Sequence, residues 1–481
     1  MNIWKTKTPA QIQDAADHTQ LKKNLRAVDL AALGIGSVVG TGIFVATGKG
    51  ALLAGPGILI SFIIAAVTCA FCALTYSELA CMFPVAGSTY SYSYVAFGEV
   101  IAWIIGWDLM LEYLVAASAV ASGWSSTFIG LIQNLLEWLK AKGLVGAGFK
   151  LPKALITPLV TASPDGKFVF SGGIIDLPAV VITLLITWIL YIGIRESAKI
   201  NNIIVLVKIA VILLFVVLGV SHVSLANLQP LMPFGWKGVM AGAAIIFFAY
   251  IGFDAVSTAA EETKNPKKDV PLGLMLCLGV VILLYVSVAF VLTGIVPYKQ
   301  IDIGNALPAA LARIGIQWGG AIVATGAIIG MISTLLVTLY GQIRIFMVMA
   351  RDGLLPPVFA KVHPEHRTPH LCTWITGIAT ALIAGLFNLD IIIEMCNIGT
   401  LFAFVLVSVG VILLRKTRPE VERKFKTPGV PFTPLITVGF CFYLMANLMK
   451  VTWIRFGGWL LIGLLIYFLY GVRHSKLQKT A

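Results

Sequence analysis

Residues 34–44 read GIGSVVGTGIF, and four of the first nine are glycine: Gly34, Gly36, Gly40 and Gly42. Glycine weakens a helix interior and admits backbone shapes that other residues avoid. The stretch lies in a long apolar run, and irregular backbone at membrane depth persists only where protein buries it or it lines a wet cavity. An opened helix would present bare N–H groups at the positive end of its second half, a cradle for a carboxylate. Close packing is the competing reading, because Gly36 and Gly40 also form a GxxxG pair. A similar interruption stands in GVMAGAAIIFFAYIGFDAVSTAAEE, where Gly252 and Asp254 follow an apolar stretch. Asp108 and Glu112 are four residues apart, so they share a helix face. Carboxylates inside a membrane are costly and face a cavity or a partner. Glu112 has apolar neighbours on both sides and is the stronger candidate; a structural ion pair or a protonated carboxyl is the alternative. Lys208, in NNIIVLVKIAVILLFVVLGV, stands about 10 Å into its helix. From there its ammonium can snorkel to the surface or turn into the bundle. Thr334 and Thr338 lie one turn apart with Ser333 adjacent, although such hydroxyls commonly bond their own backbone carbonyls.

Apolar runs that could span a membrane and position these groups fall at 30–54, 57–82, 92–130, 174–194, 202–221, 236–260, 270–296, 318–350, 371–387, 391–414, 431–449 and 453–472. These are twelve spans, and the two interrupted ones start five spans apart. Five is odd, so the second five-helix unit enters from the opposite side. Interrupted helices at matching positions of two inverted halves mark a midplane site in a secondary transporter. That pairing favours ligand binding at 34–44, which the glycines alone do not. The expected divisions are a tail at 1–29, repeats at 30–221 and 222–414, and two further helices with a tail at 415–481. With the N-terminus placed in the cytoplasm, 23 of the 35 lysines and arginines fall on the cytoplasmic side. The bias predicts a multi-pass cell-membrane protein with both termini cytoplasmic. The 131–173 segment reads as a long external loop, and the N-terminal tail as only weakly suited to lie on the membrane surface. Glu78, Asp390 and Glu394 read as charges near span ends, and spans 11 and 12 as framework outside a ten-helix core.

Composition agrees: 58% of residues are hydrophobic, 12% are charged and the mean hydropathy is +0.92. The net charge of +13 follows the membrane asymmetry and does not form a nucleic-acid patch. No short apolar core near the start suggests a cleaved signal. The seven cysteines show no disulfide framework, and Cys69 and Cys72 read as small packing residues in a helix. His363, His366 and His370 read as a solvated loop in preference to a metal site. No metal-ligand set, nucleophile elbow or phosphate loop points to an enzyme, and nothing calls for a cofactor.

GIGSVVGTGIFV in span 1, FFAYIGFDAVSTAAEETKNPKKDVP through span 6 and MARDGLLPPVFAKV at the exit of span 8 resemble the amino acid–polyamine–organocation superfamily. Within it, the chain looks like the bacterial branch of the cationic amino acid transporter family, from about residue 25 to the end. The resemblance implies an all-α, leucine-transporter-like fold with twelve transmembrane helices, a five-plus-five inverted repeat and two C-terminal helices. It implies a break at Val38–Gly40, the substrate carboxylate on the amides of Thr41 and Gly42, and the amine on carbonyls of Val38, Phe248, Ala249 and Ile251. Phe248 and Tyr250 would cover the site. In proton-coupled members a helix 5 lysine fills the place of a sodium ion. Lys208 matches it, with Ser333 as the nearby hydroxyl, which reverses the preference for snorkelling.

The implied function is proton-coupled import of neutral or cationic L-amino acids by alternating access. The partners are then substrate, protons and membrane lipid. Exchange of amino acids or polyamines is the alternative on the same fold. A channel or a non-transporting sensor lacks the expected pore loop or signalling domain. Glu112 and Asp254 would set the field of the side-chain pocket for a cationic substrate, with Thr338 leaving room for its length. Gly42→Val is expected to abolish binding without loss of folding.

Overall fold

The computed structural model describes residues 2–8, 25–83, 88–146, 148–163, 166–193, 198–366 and 368–479. The chain is mostly helical. Helix α1 (Ala27–Val38) leads through a π-helical turn, Gly42–Ala46, into α2 (Thr47–Ala54). The first half of the chain continues with α3 (Ile58–Met82), the short α4 (Ser88–Ala96), α5 (Glu99–Ala141), α6 (Leu177–Ile192) and α7 (Ala198–Val220). Then come α8 (Gly235–Ile246), a 3-10 turn at Phe247–Tyr250, α9 (Ala255–Thr258) and α10 (Pro266–Ile295). Next come α11 (Ala306–Arg313), α12 (Gln317–Arg351), α13 (His370–Leu386), α14 (Leu389–Thr417), α15 (Phe432–Ala446) and α16 (Lys450–Ile466), followed by short helical turns to Lys479. Among the described residues, eight continuous helical stretches are long and apolar enough to cross a membrane, and α1, α6, α13 and α15 are shorter apolar helices.

Local chemistry sets the ends. Pro266 starts α10, where a missing N–H costs nothing. The Asp176 carboxylate accepts from Ala179 N and caps α6, and Gly193, at φ +85°, ends it. Gly98, at φ +94°, separates α4 from α5, so the run expected to begin at 92 begins as two helices. At the other end α5 continues to Ala141 and takes up the first part of the expected loop. The residues LIQNLLEWLKA are strong helix formers, and their polar side chains hid a helix that outruns its apolar stretch. Beyond it, Val160–Ala162 pairs antiparallel with Phe168–Phe170.

Two packed groups divide the bundle. In one, α10 lies against α1 and α3, and α8 against α2 and α3. In the other, α5 packs on α12 and α14, and α13 on α6. Helix α7 touches both groups through α1, α10 and α12. Bulky side chains such as Leu206, Val217, Leu283 and Leu465 point outward, as a lipid-facing surface requires.

Charges expected at span ends do more than line a rim. Glu78 is buried and takes two bonds from Arg415, Nε at 2.9 Å and Nη2 at 2.7 Å, plus the Thr427 N–H at 2.7 Å. Glu394 is buried and accepts from Thr452 Oγ1, whereas Asp390 pairs with Lys49 at 2.8 Å. Residues 2–8 dock on the start of α5, where Glu99 N donates to Lys5 O, and Lys7 Nζ reaches Asp352 at 2.8 Å. The rest of the expected membrane-surface tail, 9–24, lies outside the described residues. Cys72 Sγ and Cys441 Sγ are 3.9 Å apart, and all seven cysteines are free and buried. His363 stacks on His366 at 4.8 Å between ring centres; among the described residues no cluster of three His, Cys, Asp or Glu could hold a metal.

Candidate functional site

Both interruptions are real and they touch. Helix α1 stops at Val38, Val39 is extended at φ −76° and ψ 95°, and helical geometry resumes at Thr41. In the second break, Ile251 is extended at ψ 139° and Gly252 sits at φ +106°, a value that favours glycine. A Cβ on Gly42 would lie 2.3 Å from Ala249 Cα, and one on Gly252 would lie 2.7 Å from Ser37 Oγ. The breaks are therefore packed backbone to backbone. Packing and opening turn out to be one design: Gly34 faces Cys277 and Val256, Gly36 faces Val205, and Gly40 faces Thr334. Gly42→Val cannot leave folding untouched, because even a Cβ collides with main chain. That expectation is corrected.

A cavity of about 350 Å³ starts at the breaks. Val38, Gly40, Thr41, Gly42, Phe248 and Ile251 line it, and so do Glu112, Asp254 and Thr338. From there it extends past Leu33 and Tyr113 to Leu25, Asn202, Glu262 and Arg344. Ala249 is fully buried against Gly42 and Tyr250 is turned into the core. The Tyr250 hydroxyl donates to Phe62 O at 3.1 Å and its ring packs on Phe62 and Tyr285, so its side chain does not cover the cavity. Thr338 Oγ1 donates to Thr334 O at 2.8 Å, within its own helix. The Tyr285 hydroxyl donates to Val38 O at 3.1 Å, on a carbonyl the break takes out of the helix ladder. Sequence reasoning missed Tyr285, since nothing in its own stretch marks it.

The two acids of α5 part company. Glu112 faces the cavity, while Asp108 is fully buried behind it, and neither of its oxygens has a hydrogen-bond partner among the described residues. A structural ion pair at Asp108 is not what the structure shows. Gly399 leaves room for the carboxyl: a Cβ there would stand 2.9 Å from Asp108 Oδ1.

Lys208 is fully buried. Its Nζ donates to Gly36 O at 2.6 Å and to Thr334 Oγ1 at 2.8 Å. The ammonium therefore bridges α7, the last turn of α1 and the middle of α12, and it does not snorkel. Gly330 makes the passage: a Cβ there would come within 2.9 Å of Lys208 Cγ. Ser333, expected as the nearby hydroxyl, is buried on the same helix, and the adjacent Thr334 puts its hydroxyl on the ammonium. Thr334 also lines the cavity, so one side chain touches both the ammonium and the space beside the breaks.

Two broken helices thus meet at a cavity, with the buried lysine on the carbonyl of one of them. Residues 25–469 match the amino acid permease family model. The chain is 49% identical, over 95% of its length and 95% of the relative, to the branched-chain amino acid permease of Bacillus subtilis (strain 168). It is 47% identical to the methylthioribose transporter of the same organism, over 99% of this chain and 100% of that one. It is 36% identical to the vacuolar cationic amino acid transporter 4 of Arabidopsis thaliana, over 83% of this chain and 64% of that one. The chain belongs to the amino acid permease family of the amino acid–polyamine–organocation superfamily.

Proposed function

We propose that the chain is a secondary active transporter of L-amino acids, neutral or cationic, driven by an inward proton gradient. The observation that carries this reading is the Lys208 ammonium on Gly36 O and Thr334 Oγ1, one side chain from the cavity at the breaks. On this reading the chain is a twelve-helix, leucine-transporter-like bundle of two inverted repeats, 30–221 and 222–414, with two helices added. The lysine and arginine bias supports cytoplasmic termini. The cavity reaching Leu25 and Arg344 then opens inward.

The substrate carboxylate meets the amides of Thr41 and Gly42, at the start of the resumed helix. The ammonium meets carbonyls of the breaks, at Val38, Phe248 and Ile251, with Glu112 and Asp254 setting a negative field around the side-chain end. The charged lysine ties α7 to α1 and α12 with one positive charge and three donors. Losing its proton removes the charge from those bonds and lets α1 move. Alternating access of this group to the two sides couples proton to substrate.

The test is uptake of labelled amino acids into proteoliposomes. Leucine, alanine, lysine, arginine and methylthioribose are offered with and without an inward proton gradient. Saturable, gradient-stimulated uptake of an amino acid supports the reading. Uptake only after preloading with counter-substrate means an exchanger, and uptake of methylthioribose alone moves the substrate out of the amino acids.

A further inference from the structure

Two helices with outward apolar faces meet at their ends. On α6, Leu177, Val181 and Leu185 are exposed at helical spacing, and on α13 so are Ile375, Ile378 and Leu382. The two helices pack on each other, and Asp176 N donates to Gly385 O at 2.9 Å, joining the start of α6 to the end of α13. A β-hairpin hangs on this corner. Its first strand, β1 (Val160–Ala162), takes the Asn388 N–H on Val160 O at 3.0 Å, and Asn388 also caps α14. Its second strand, β2 (Phe168–Phe170), sets the Phe168 ring 5.8 Å from that of Phe387, centre to centre. The turn between the strands is fixed to α16, where Arg455 Nη2 donates to Gly166 O at 2.7 Å and the guanidinium lies 4.2 Å from the centre of the Phe168 ring.

Anchored in this way, the hairpin still keeps large apolar side chains outside. Phe168 and Phe170 share one side of β2 and are 55% and 77% exposed. Leu155 and Ile174 are exposed as well, and Ile174 N donates to Ala154 O at 2.9 Å, which brings the two stretches together. Ile174 stands one helical turn before Leu177, so the apolar face of α6 runs on beyond its first turn. A surface bathed in water rarely gathers this much apolar side chain. The same segment is rich in cations. Lys142, Lys150, Lys153 and Lys167 are exposed, and Lys140 pairs with Glu137 at 2.7 Å. Its other acids are Asp165 and the buried Asp176. Aromatic rings bordered by lysines suit the bilayer interface, where the rings sit at headgroup depth and the lysine stems reach the phosphates. Each lysine there is attracted further by an anionic headgroup.

We propose that this hairpin is a lipid-docking surface. Phe168, Phe170, Leu155 and Ile174 enter the acyl boundary of the leaflet at this end, and Lys150, Lys153 and Lys167 hold the headgroups of anionic phospholipids. The occupant is the bilayer because the apolar surface continues the outward faces of α6 and α13, and because the lysines complement a negative headgroup layer. With cytoplasmic termini the leaflet is the outer one. Through Asp176 and Asn388 the docked hairpin fastens α6, α13 and α14 to the membrane.

Fluorescence of the full chain in vesicles tests this. Phe170→Cys carries an environment-sensitive label, the seven native cysteines being buried. The quenchers are iodide in the water and, at equal mole fraction in a phosphatidylcholine bilayer, nitroxide-labelled phosphatidylcholine or phosphatidylglycerol. The expected result is quenching by the lipids and little by iodide. Labelled phosphatidylglycerol should act as though enriched about fivefold over labelled phosphatidylcholine, equivalent to about 1 kcal/mol. Combining Lys150→Gln, Lys153→Gln and Lys167→Gln should abolish that enrichment and leave lipid quenching in place. Quenching by iodide alone puts the hairpin in water and overturns the docking. Shielding from both quenchers, with energy transfer between labelled copies, means that a second copy covers the face and overturns it equally. Equal quenching by the two lipids with the lysines present, or a preference that survives their removal, overturns the assignment of the lysines to anionic headgroups.

Discussion

At the scale of single residues, the Lys208 ammonium decides most. It has a backbone carbonyl and a hydroxyl within 2.8 Å and no exposure to lipid or water. Removing the hydroxyl takes one acceptor from a buried cation. Thr334→Val should therefore cost about 1–3 kcal/mol of stability, read as a lowered melting temperature in detergent. Thr338→Val, one turn away, loses only a bond to its own helix and should stay within about 0.5 kcal/mol of wild type. Equal losses in the two variants would contradict the assignment of Thr334. The lysine itself was legible in the sequence, as the single charge in an apolar helix. The contact with Thr334 was not, because neighbouring positions on α12 differ by about 100° in direction and nothing in one sequence fixes the helix rotation. Tyr285 was illegible for a different reason: its bond joins α10 to a carbonyl 247 positions away.

Helices and their joints form the next scale. The breaks could be read from Gly34 to Gly42 and from Gly252, because only glycine suits both the opened backbone and the close approach. How the breaks meet could not be read, since Gly42 and Ala249 are far apart in sequence. Gly42→Ala should overpack the contact with Ala249 and cost about 1–3 kcal/mol, with substrate affinity reduced in the fraction that folds. Wild-type stability and affinity would mean that the breaks are looser than the structure has them. The basic loop after α14 is pinned in the same sense by Glu78. Glu78→Gln leaves Arg415 and Arg423 facing a neutral group and should lower stability by about 3 kcal/mol, near the low end for a broken buried pair because Arg415 is partly exposed. An unchanged melting temperature would return Glu78 to the rim role its position in the sequence suggested. The outer turns of α5 were read as loop because lysine, glutamine and asparagine there conceal a helix that stands clear of the apolar core.

For the whole molecule, the division into two packed groups with α7 touching both places Lys208 at their seam. The first group holds both broken helices, and α12 of the second supplies Thr334. On the proposed reading, a proton lost from that seam would loosen one group from the other, which is the motion alternating access needs. Residues 2–8 and the segment after α16 meet at Glu99 and Asp352, so both ends of the chain brace the start of α5 and the exit of α12. Apolar pattern and charge bias made the membrane class legible, whereas this terminal contact joins residues at opposite ends of the sequence and left no local trace. The central claim is that Lys208 couples proton to cargo. The most direct measurement is accumulation of a labelled amino acid in proteoliposomes under an imposed inward proton gradient, comparing wild type with Lys208→Ala and measuring binding in parallel. The account predicts that the variant still binds and equilibrates the amino acid but no longer concentrates it. Full gradient-driven accumulation by Lys208→Ala would contradict it.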